Sequence, residues 1–461
     1  MTIDSLVSCT ERAAVPILPD TIFALSSAPG RAAVAVVRIS GPRAKEALGR
    51  LAGDVPETRK ATLRTIRHPS TGQDIDRAII LFFAGPSSFT GEDVAEILLH
   101  GGKAVVASVL NALGTLQCRL AEPGEFARRA FDNGKMDLTE AEGIADLIDA
   151  ETEAQRVQAV AQAGGMLRRL YDAWRSDVLD AMALTEAAID FSDEEDVAAD
   201  AAARARDIIG GLVDALAKHL KDGRRGEILR DGFRVVLAGA PNVGKSSLLN
   251  ALARRDAAIV SSEAGTTRDV IEVRLDLDGF PVIVSDTAGI RDGGGEIERE
   301  GIRRTLERGR EADLVLWVRD ATETADEVPR ALLEAGAAII LVENKVDLVS
   351  GEERAGAESQ ELLRVSAASG AGLGALVTRI AMLARERIAP TESPVLTQAR
   401  HREALEDCMK CLEDHLSQNQ YDAELAAEDL RRASQALGRI TGVVDAEEVL
   451  GRIFARFCIG K

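Results

Sequence analysis

The sequence predicts a multidomain chain, α/β plus all-α, with an α+β domain in front, a central helical domain and a second α/β domain inserted into the helical one. Three observations lead there. Strand and helix signals alternate over 20–121, punctuated by Pro and Gly. No proline occurs from Gly124 to Ala240, apolar residues there recur three or four apart, and the same spacing returns after Pro394. Between these helical stretches lies a strand-like run, Arg234-Val235-Val236-Leu237-Ala238, then a glycine-rich turn, then the helical spacing of Ser247-Leu248-Leu249-Asn250-Ala251-Leu252.

In chain order, 32–39 and 77–83 read as strands and 104–113 as a helix, which makes 1–121 a domain of its own. Residues 138–190 and 200–222 are rich in Ala, Leu, Glu and Arg; Leu167, Leu170, Trp174, Val178 and Met182 fall on one helical face. Residues 397–416 and 424–437 resume that pattern. The economical organisation is one discontinuous helical domain, 122–231 and 386–461, interrupted by a domain at 232–385, because domain termini usually lie close together at the surface. Two adjacent helical domains are the alternative. A chain of 461 residues suits roughly three domains of about 150 each. Aromatics are only 3%, so Leu, Val, Ile and Ala must fill the cores.

The net charge of −19 excludes a general attraction for polyanions, so any nucleic-acid contact needs a local basic patch or a partner. Five cysteines, an odd number, with no secretory signal, fit a reducing compartment. Asp4 and Glu11 make the N-terminus a poor mitochondrial presequence, and no apolar run approaches the ~18 residues of a membrane span. The expectation is a cytoplasmic chain with no membrane attachment.

The inserted domain carries the chemistry. Residues 239–246 read Gly-Ala-Pro-Asn-Val-Gly-Lys-Ser, a complete phosphate-binding loop in its required strand–turn–helix context. Asn242, Val243, Gly244, Lys245, Ser246 and Ser247 would cradle the phosphates, Lys245 reaching the β/γ-phosphates and Ser246 holding Mg²⁺. Asn344-Lys345-Val346-Asp347 follows the strand-like run 338–342, and an Asp carboxylate there accepts two hydrogen bonds from guanine that adenine cannot supply. Ser366-Ala367-Ala368 would close over the base. Between them lies Gly265-Thr266-Thr267-Arg268-Asp269, a first switch with Thr267 a second hydroxyl for Mg²⁺; Ser261, Ser262, Glu263 and Ala264 before it join the expected nucleotide site through the family resemblance given below. Asp286, Thr287, Ala288 and Gly289 form a second, with Asp286 at the metal's water shell and Gly289 at the γ-phosphate. Four motifs in this order specify a Ras-like P-loop GTPase domain.

Several residues have two readings. Ile290 stands where many small GTPases carry the Gln that positions the attacking water. Asp292, Glu296, Glu298 and Glu300 follow, either as a solvated acidic loop or as the source of the missing carboxylate. Asn242 either coordinates a monovalent cation or caps its own turn. Cys408 and Cys411 read as a surface helix rather than half a zinc site, since no second pair exists. Gly223-Arg224-Arg225-Gly226 imitates the RNA-clamping loop of KH domains but has no room for that fold, and reads as a linker. Near the C-terminus, Ile453-Phe454-Ala455-Arg456-Phe457 is apolar enough to dock and deliver Cys458 and Lys461.

Taken together these residues resemble the MnmE (TrmE) family of tRNA-modification GTPases. The likeness covers almost the whole chain. It rests on Phe457-Cys-Ile-Gly-Lys461, Ala28-Pro-Gly-Arg31, Val37-Arg38-Ile39-Ser40-Gly41, Ser88-Phe-Thr-Gly-Glu-Asp93, His100-Gly-Gly102, Pro123-Gly-Glu-Phe126 and Gly265-Thr-Thr-Arg-Asp269. The resemblance implies a homodimer that acts with the flavin- and NADH-dependent partner MnmG (GidA), in a heterotetramer or larger complex, on the wobble uridine of tRNA. The product carries an aminomethyl-type (carboxymethylaminomethyl) group at C5, built with a one-carbon unit from 5,10-methylene- or 5-formyl-tetrahydrofolate. It further implies an N-terminal folate-binding and dimerisation domain with Arg38, Glu96, Lys135 and Lys461 in the folate site, and Cys458 nearby as a possible reactive thiol. In the GTPase domain it implies a K⁺ site at Asn242, Ser261, Glu263 and Thr266, and Glu298 as the catalytic carboxylate. Ser261 departs from the more frequent Thr, and the segment 292–295 is unusually glycine-rich. The alternative is a ribosome-assembly GTPase of the Era type, which predicts a KH-like RNA domain and no folate pocket.

Overall fold

The structure is a computed structural model that describes residues 20–190, 195–255, 258–259, 272–286, 312–323, 327–334, 336–349, 362–388, 395–417, 423–444, 447–455 and 457–460. The chain forms two compact units, 1–137 with 446–461, and 138–445.

The first unit is built on a six-stranded sheet, β1 (Ile22–Leu25), β2 (Ala32–Ser40), β3 (Thr62–Arg67), β4 (Asp74–Phe83), β5 (Val94–Gly101) and β6 (Arg119–Leu120), in the order β3-β4-β5-β2-β1-β6. Only the β1–β6 pair is parallel. Alternation along the strands buries Val37, Ile39, Ile66, Ile80, Ile97 and Leu99 against Leu48 and Leu51 of α1 (Ala44–Ala52) and Val109 and Leu113 of α2 (Lys103–Gly114). The opposite face carries a cross-strand row of Leu63, Ile79, Leu98 and Val36, of which Leu63 and Ile79 are exposed. Helix α3 (Glu125–Asp132) ends the unit's first stretch of chain.

The second unit begins with α4 (Leu138–Asp149), α5 (Glu153–Ala163), α6 (Met166–Asp190) and α7 (Glu195–Asp231). A second six-stranded sheet follows: β7 (Phe233–Ala238), β8 (Glu272–Leu277), β9 (Phe280–Asp286), β10 (Leu314–Asp320), β11 (Ala338–Asn344) and β12 (Leu362–Arg364), ordered β12-β11-β10-β7-β9-β8. All its pairs are parallel except the β8–β9 hairpin. Accordingly β7, β10 and β11 are near-continuous apolar runs, as strands covered on both faces require. Helices α8 (Lys245–Ala253), α9 (Arg330–Leu333) and α10 (Leu373–Ile388) accompany the sheet. Then α11 (Ala399–Ser417) and α12 (Ala423–Thr441) return to α6 and α7.

That bundle buries Leu167, Trp174 and Val178 of the expected face, with Leu170 and Met182 partly buried at its margin. Two expectations are corrected here. The segment 223–226 is no linker; it lies inside the continuous helix α7. Glycine serves there because a Cβ on Gly226 would sit 2.1 Å from the backbone oxygen of Leu396. Cys408 and Cys411 are helical as expected but buried in the bundle core, not on its surface. Among the described residues no cluster of His, Cys, Asp and Glu could hold a metal ion, and no helix is long and apolar enough to cross a membrane.

Helix α13 (Glu447–Phe454) and the chain after it fall in the first compact unit. Ile453, Phe454 and Phe457 are buried, Ile459 bridges to Pro123, and the Ser26 hydroxyl donates to the Gly460 carbonyl at 2.9 Å. The tail is docked.

Polar groups bind the second unit together. Glu142 on α4 accepts from Arg400 at 2.6 and 2.8 Å and pairs with His401 at 2.9 Å. Burial opposes the Glu142 charge, but Arg400 and His401 outweigh it and hold its pKa down at about 2. Tyr171 and His219 share a buried hydrogen bond of 3.2 Å. Burial, and then His401, push the His219 imidazole down to about 4 from 6.5. Between those two values the unfolded chain binds the proton and the folded one does not. Stability from His219 is therefore complete above pH 6.5 and drains as pH falls towards 4. Urea unfolding of His219→Asn should lose about 2–3 kcal/mol less than the parent between pH 7 and 4.5; parallel pH profiles would exclude this.

The inserted sheet is fastened to α4 and α5. Arg230, at the end of α7, pairs with Asp146 at 3.0 Å, and its carbonyl accepts from Gln155 at 2.9 Å. The β8–β9 hairpin meets the start of α5 through Arg274–Glu151 at 3.0 Å and Ala154 N–H to Gly279 O at 3.1 Å.

Candidate functional site

The expected nucleotide residues that the structure describes gather at the carboxyl ends of the parallel strands, where open α/β sheets bind ligands. Strand β7 delivers the chain into residues 239–244, and α8 begins at Lys245. Gly239 has φ +143° and passes the β10 backbone so closely that a Cβ would lie 2.1 Å from the Val318 oxygen. No side chain caps the start of α8, whose N-cap is Gly244, and the first N–H groups of a helix have no intrahelical partner, which suits an anion site. Lys245 Nζ donates to the carbonyls of Gly239 and Ala240 at 2.9 and 2.8 Å. Burial lowers its pKa, and Asp286 opposes that shift.

Ser246 Oγ donates to Asp286 Oδ2 at 2.5 Å, across from the end of β9. A hydroxyl and a carboxylate converging at the mouth of a phosphate loop are the oxygen donors that Mg²⁺ takes, so these residues fit the ion. Asn242 adopts φ +63°, and its backbone carbonyl accepts from Lys345 Nζ at 2.8 Å. Ser247 follows Ser246 in the first turn of α8, and Val243 is buried beneath the loop.

The base side is tied to the phosphate side through one buried amide. Asn344 Nδ2 donates to the Val243 carbonyl at 2.9 Å, and Asn344 Oδ1 accepts from Ala367 N–H at 3.0 Å. Lys345 also donates to Asp320 Oδ2 at 2.6 Å, a partner at the end of β10 that the sequence reading did not include. Val346 and Asp347 lie in the turn after β11, with Asp347 exposed. Ser366 is fully buried and its hydroxyl accepts from Ser369 N–H at 3.0 Å, while Ala368 is exposed. Ser261, Ser262, Glu263, Ala264, Gly265, Thr266, Thr267, Thr287, Ala288, Gly289 and Glu298 lie outside the described residues, and so does Lys461.

A second cluster sits on the first unit's sheet. Arg38 of β2 and Glu96 of β5 are direct cross-strand partners and form an ion pair of 2.9 Å. The Arg38 guanidinium lies 5.4 Å from the centre of the Phe89 ring and 5.7 Å from that of Phe126. Glu96 and Lys135 line a cavity of 240 Å³ whose walls include Phe83, Pro86, Phe89 and Arg59. Thus three of the four expected folate residues meet here. Cys458 is exposed and does not line this cavity. A larger space of 560 Å³ borders α4, α5, α7 and the β7–β9 strands, with no phosphate-loop residue in its wall.

Comparison with known proteins decides the family. The family described as "MnmE helical domain" matches residues 138–458, and "GTP-binding protein TrmE N-terminus" matches 21–135. The chain is 51% identical over 443 residues to the tRNA modification GTPase MnmE of Maricaulis maris, covering 96% of this chain and 99% of that one. Against the protein of that name from Parvibaculum lavamentivorans it is 52% identical over 448 residues, covering 96% and 100%. The MnmE protein of Phenylobacterium zucineum gives 49% over 452 residues, covering 96% and 100%. The chain belongs to the MnmE (TrmE) family of tRNA modification GTPases. An MnmE-family chain is a GTP hydrolase acting in tRNA modification, and its architecture combines the TrmE N-terminal domain, the MnmE helical domain and a P-loop GTPase domain. The Era-type alternative is thereby set aside.

Proposed function

We propose that this MnmE-family GTPase is activated by potassium and, with the flavoprotein MnmG, installs a carboxymethylaminomethyl-type group at C5 of the tRNA wobble uridine using a folate one-carbon unit. Hydrolysis drives pairing of the GTPase domains and a conformational change. The reading places the work in the cytoplasm, in a homodimer that joins MnmG in a heterotetramer or larger complex. It assigns 1–121 to folate binding and dimerisation, 122–231 with 386–461 to the helical domain, and 232–385 to the GTPase domain.

The observation carrying the hydrolytic part is that Lys245 is held by the phosphate-loop carbonyls while Ser246, next to it, bonds Asp286 at the end of β9. Mg²⁺, when bound, neutralises charge on the β- and γ-phosphates. Ser246, with Thr267, would hold it, Asp286 would reach its water shell, and Lys245 would exchange two loop carbonyls for phosphate oxygens. Asn344 keeps base loop and phosphate loop in one geometry, leaving Asp347 to accept from guanine. The side chain of Asn242, with Ser261, Glu263 and Thr266, would hold K⁺, and Glu298 would orient the attacking water.

For the folate part, the support is the Arg38–Glu96 pair beside a cavity that also holds Lys135 and two phenyl rings. A carboxylate can accept from the N–H donors of a pterin ring, and the aromatic walls suit its flat faces. Support for a second copy of this chain is the aliphatic row Leu63–Ile79–Leu98–Val36 on the open sheet face. GTP turnover in KCl should exceed that in NaCl by at least about tenfold, as one well-placed charge at a phosphoryl transition state would give. Equal rates in the two salts would remove the potassium reading, and a chain that ignored 5-formyltetrahydrofolate would remove the folate one.

A further inference from the structure

We propose that Arg59 is a second anion clamp of the Glu96–Lys135 cavity, receiving a tail carboxylate of the ligand whose ring enters that cavity. This rests on the folate reading above and extends it to a residue which that reading does not include.

Arg59 lines the cavity together with Phe83, Phe89, Glu96 and Lys135. The turn that carries it is built to hold it there. Its backbone sits at φ +63°, a left-handed conformation that disfavours any side chain. Arg59 N–H and Thr58 Oγ1 both donate to the Phe82 carbonyl, at 2.8 and 3.2 Å, and Ala84 N–H donates back to Thr58 Oγ1 at 3.2 Å. These three bonds pin the turn to the end of β4. The guanidinium then lies 5.6 Å from the centre of the Phe83 ring and donates through Nη2 to the Ser87 carbonyl at 2.5 Å.

The charge balance points to an anion. Glu96 is already neutralised by Arg38. Among the described residues neither Arg59 nor Lys135 has a carboxylate partner, so the cavity wall carries two uncompensated cations. A ligand with one carboxylate would satisfy only one of them. A ring bearing a glutamyl tail brings two. Size agrees: 240 Å³ is below the roughly 300 Å³ at which pockets for drug-sized ligands begin, so a folate reaches past the cavity mouth. Arg59, exposed at that mouth, is where such a tail emerges.

The competing role is structural: an arginine stem lying over Phe83 to cover the ring. Titration calorimetry with two probes separates them, 5-formyltetrahydrofolate and the tail-less 6-methyltetrahydropterin. Arg59→Gln should weaken the folate by about 10- to 100-fold, the loss of a charge-assisted hydrogen bond, and leave the pterin unchanged. Arg59→Lys should recover part of the loss. Folate affinity equal to the parent's, or equal weakening of both probes, would overturn the clamp and leave a wall residue. A parent chain that binds no folate would instead bring down the folate reading, and the clamp with it.

Discussion

Lys245→Ala should lower GTP turnover at saturating GTP about a thousandfold, the upper range for deleting one preorganised charge donor, or roughly 4 kcal/mol of transition-state stabilisation. The Lys245 ammonium is buried and held by two loop carbonyls, so it is desolvated and aimed before any nucleotide arrives. Water around an exposed lysine would have to reorganise as charge develops; here that cost is already met by the fold. Folding should suffer far less, since two hydrogen bonds to carbonyls are worth about 1 kcal/mol each. Lys245→Arg should not rescue, because a planar fork cannot replace a compact ammonium between those carbonyls. Single-turnover hydrolysis checks this beside a melting curve. A loss smaller than tenfold in a folded variant would show that Lys245 is not the phosphate's cation.

The second large effect is on stability and comes as a pair of opposite signs. Gly226→Ala should destabilise the second unit by about 3 kcal/mol or more, as overpacking against a rigid neighbour does. Its Cβ would meet the backbone oxygen of Leu396 at 2.1 Å, and a backbone cannot rotate out of the way as a side chain could. Gly210→Ala, in the same helix, should stabilise by about 0.5–1 kcal/mol, because alanine lowers the entropy lost on forming a helix. Nothing lies within 4 Å of a Cβ at Gly210. Chemical denaturation of both variants tests the pair. Equal effects would mean that helix propensity alone, and not the approach of Leu396, governs position 226.

That same glycine explains one failure of sequence reasoning. Gly223 and Gly226 look like breakers because local propensity registers only their backbone cost. The reason for Gly226 sits 170 positions later, in Leu396, and no local pattern carries that information. Cys408 and Cys411 failed differently: their helix was readable from spacing, their burial was not, because Lys410 and the acidic residues beside them mask the apolar face. By contrast the phosphate loop was fully legible, since its chemistry is contiguous and its flanking strand and helix announce themselves. Asn344 as a strut between two loops was not legible; its motif names the base contact and hides the bond to Val243. Arg38 and Glu96 came through resemblance, and only the strand register makes them partners. Arg59 belongs to a turn of ordinary composition, and nothing in Glu57-Thr58-Arg59-Lys60 hints at a left-handed backbone.

The docked tail has a consequence for how the protein is made. The first unit includes 1–137 but also 446–461, so its surface around α3 stays incomplete while roughly 300 intervening residues are translated, a delay of about 15–60 s at 5–20 residues per second. During that interval the grooves that later receive Phe454 and Phe457 stand open on the nascent chain. A stalled or prematurely released product would keep them open, marking unfinished copies for chaperones and proteases.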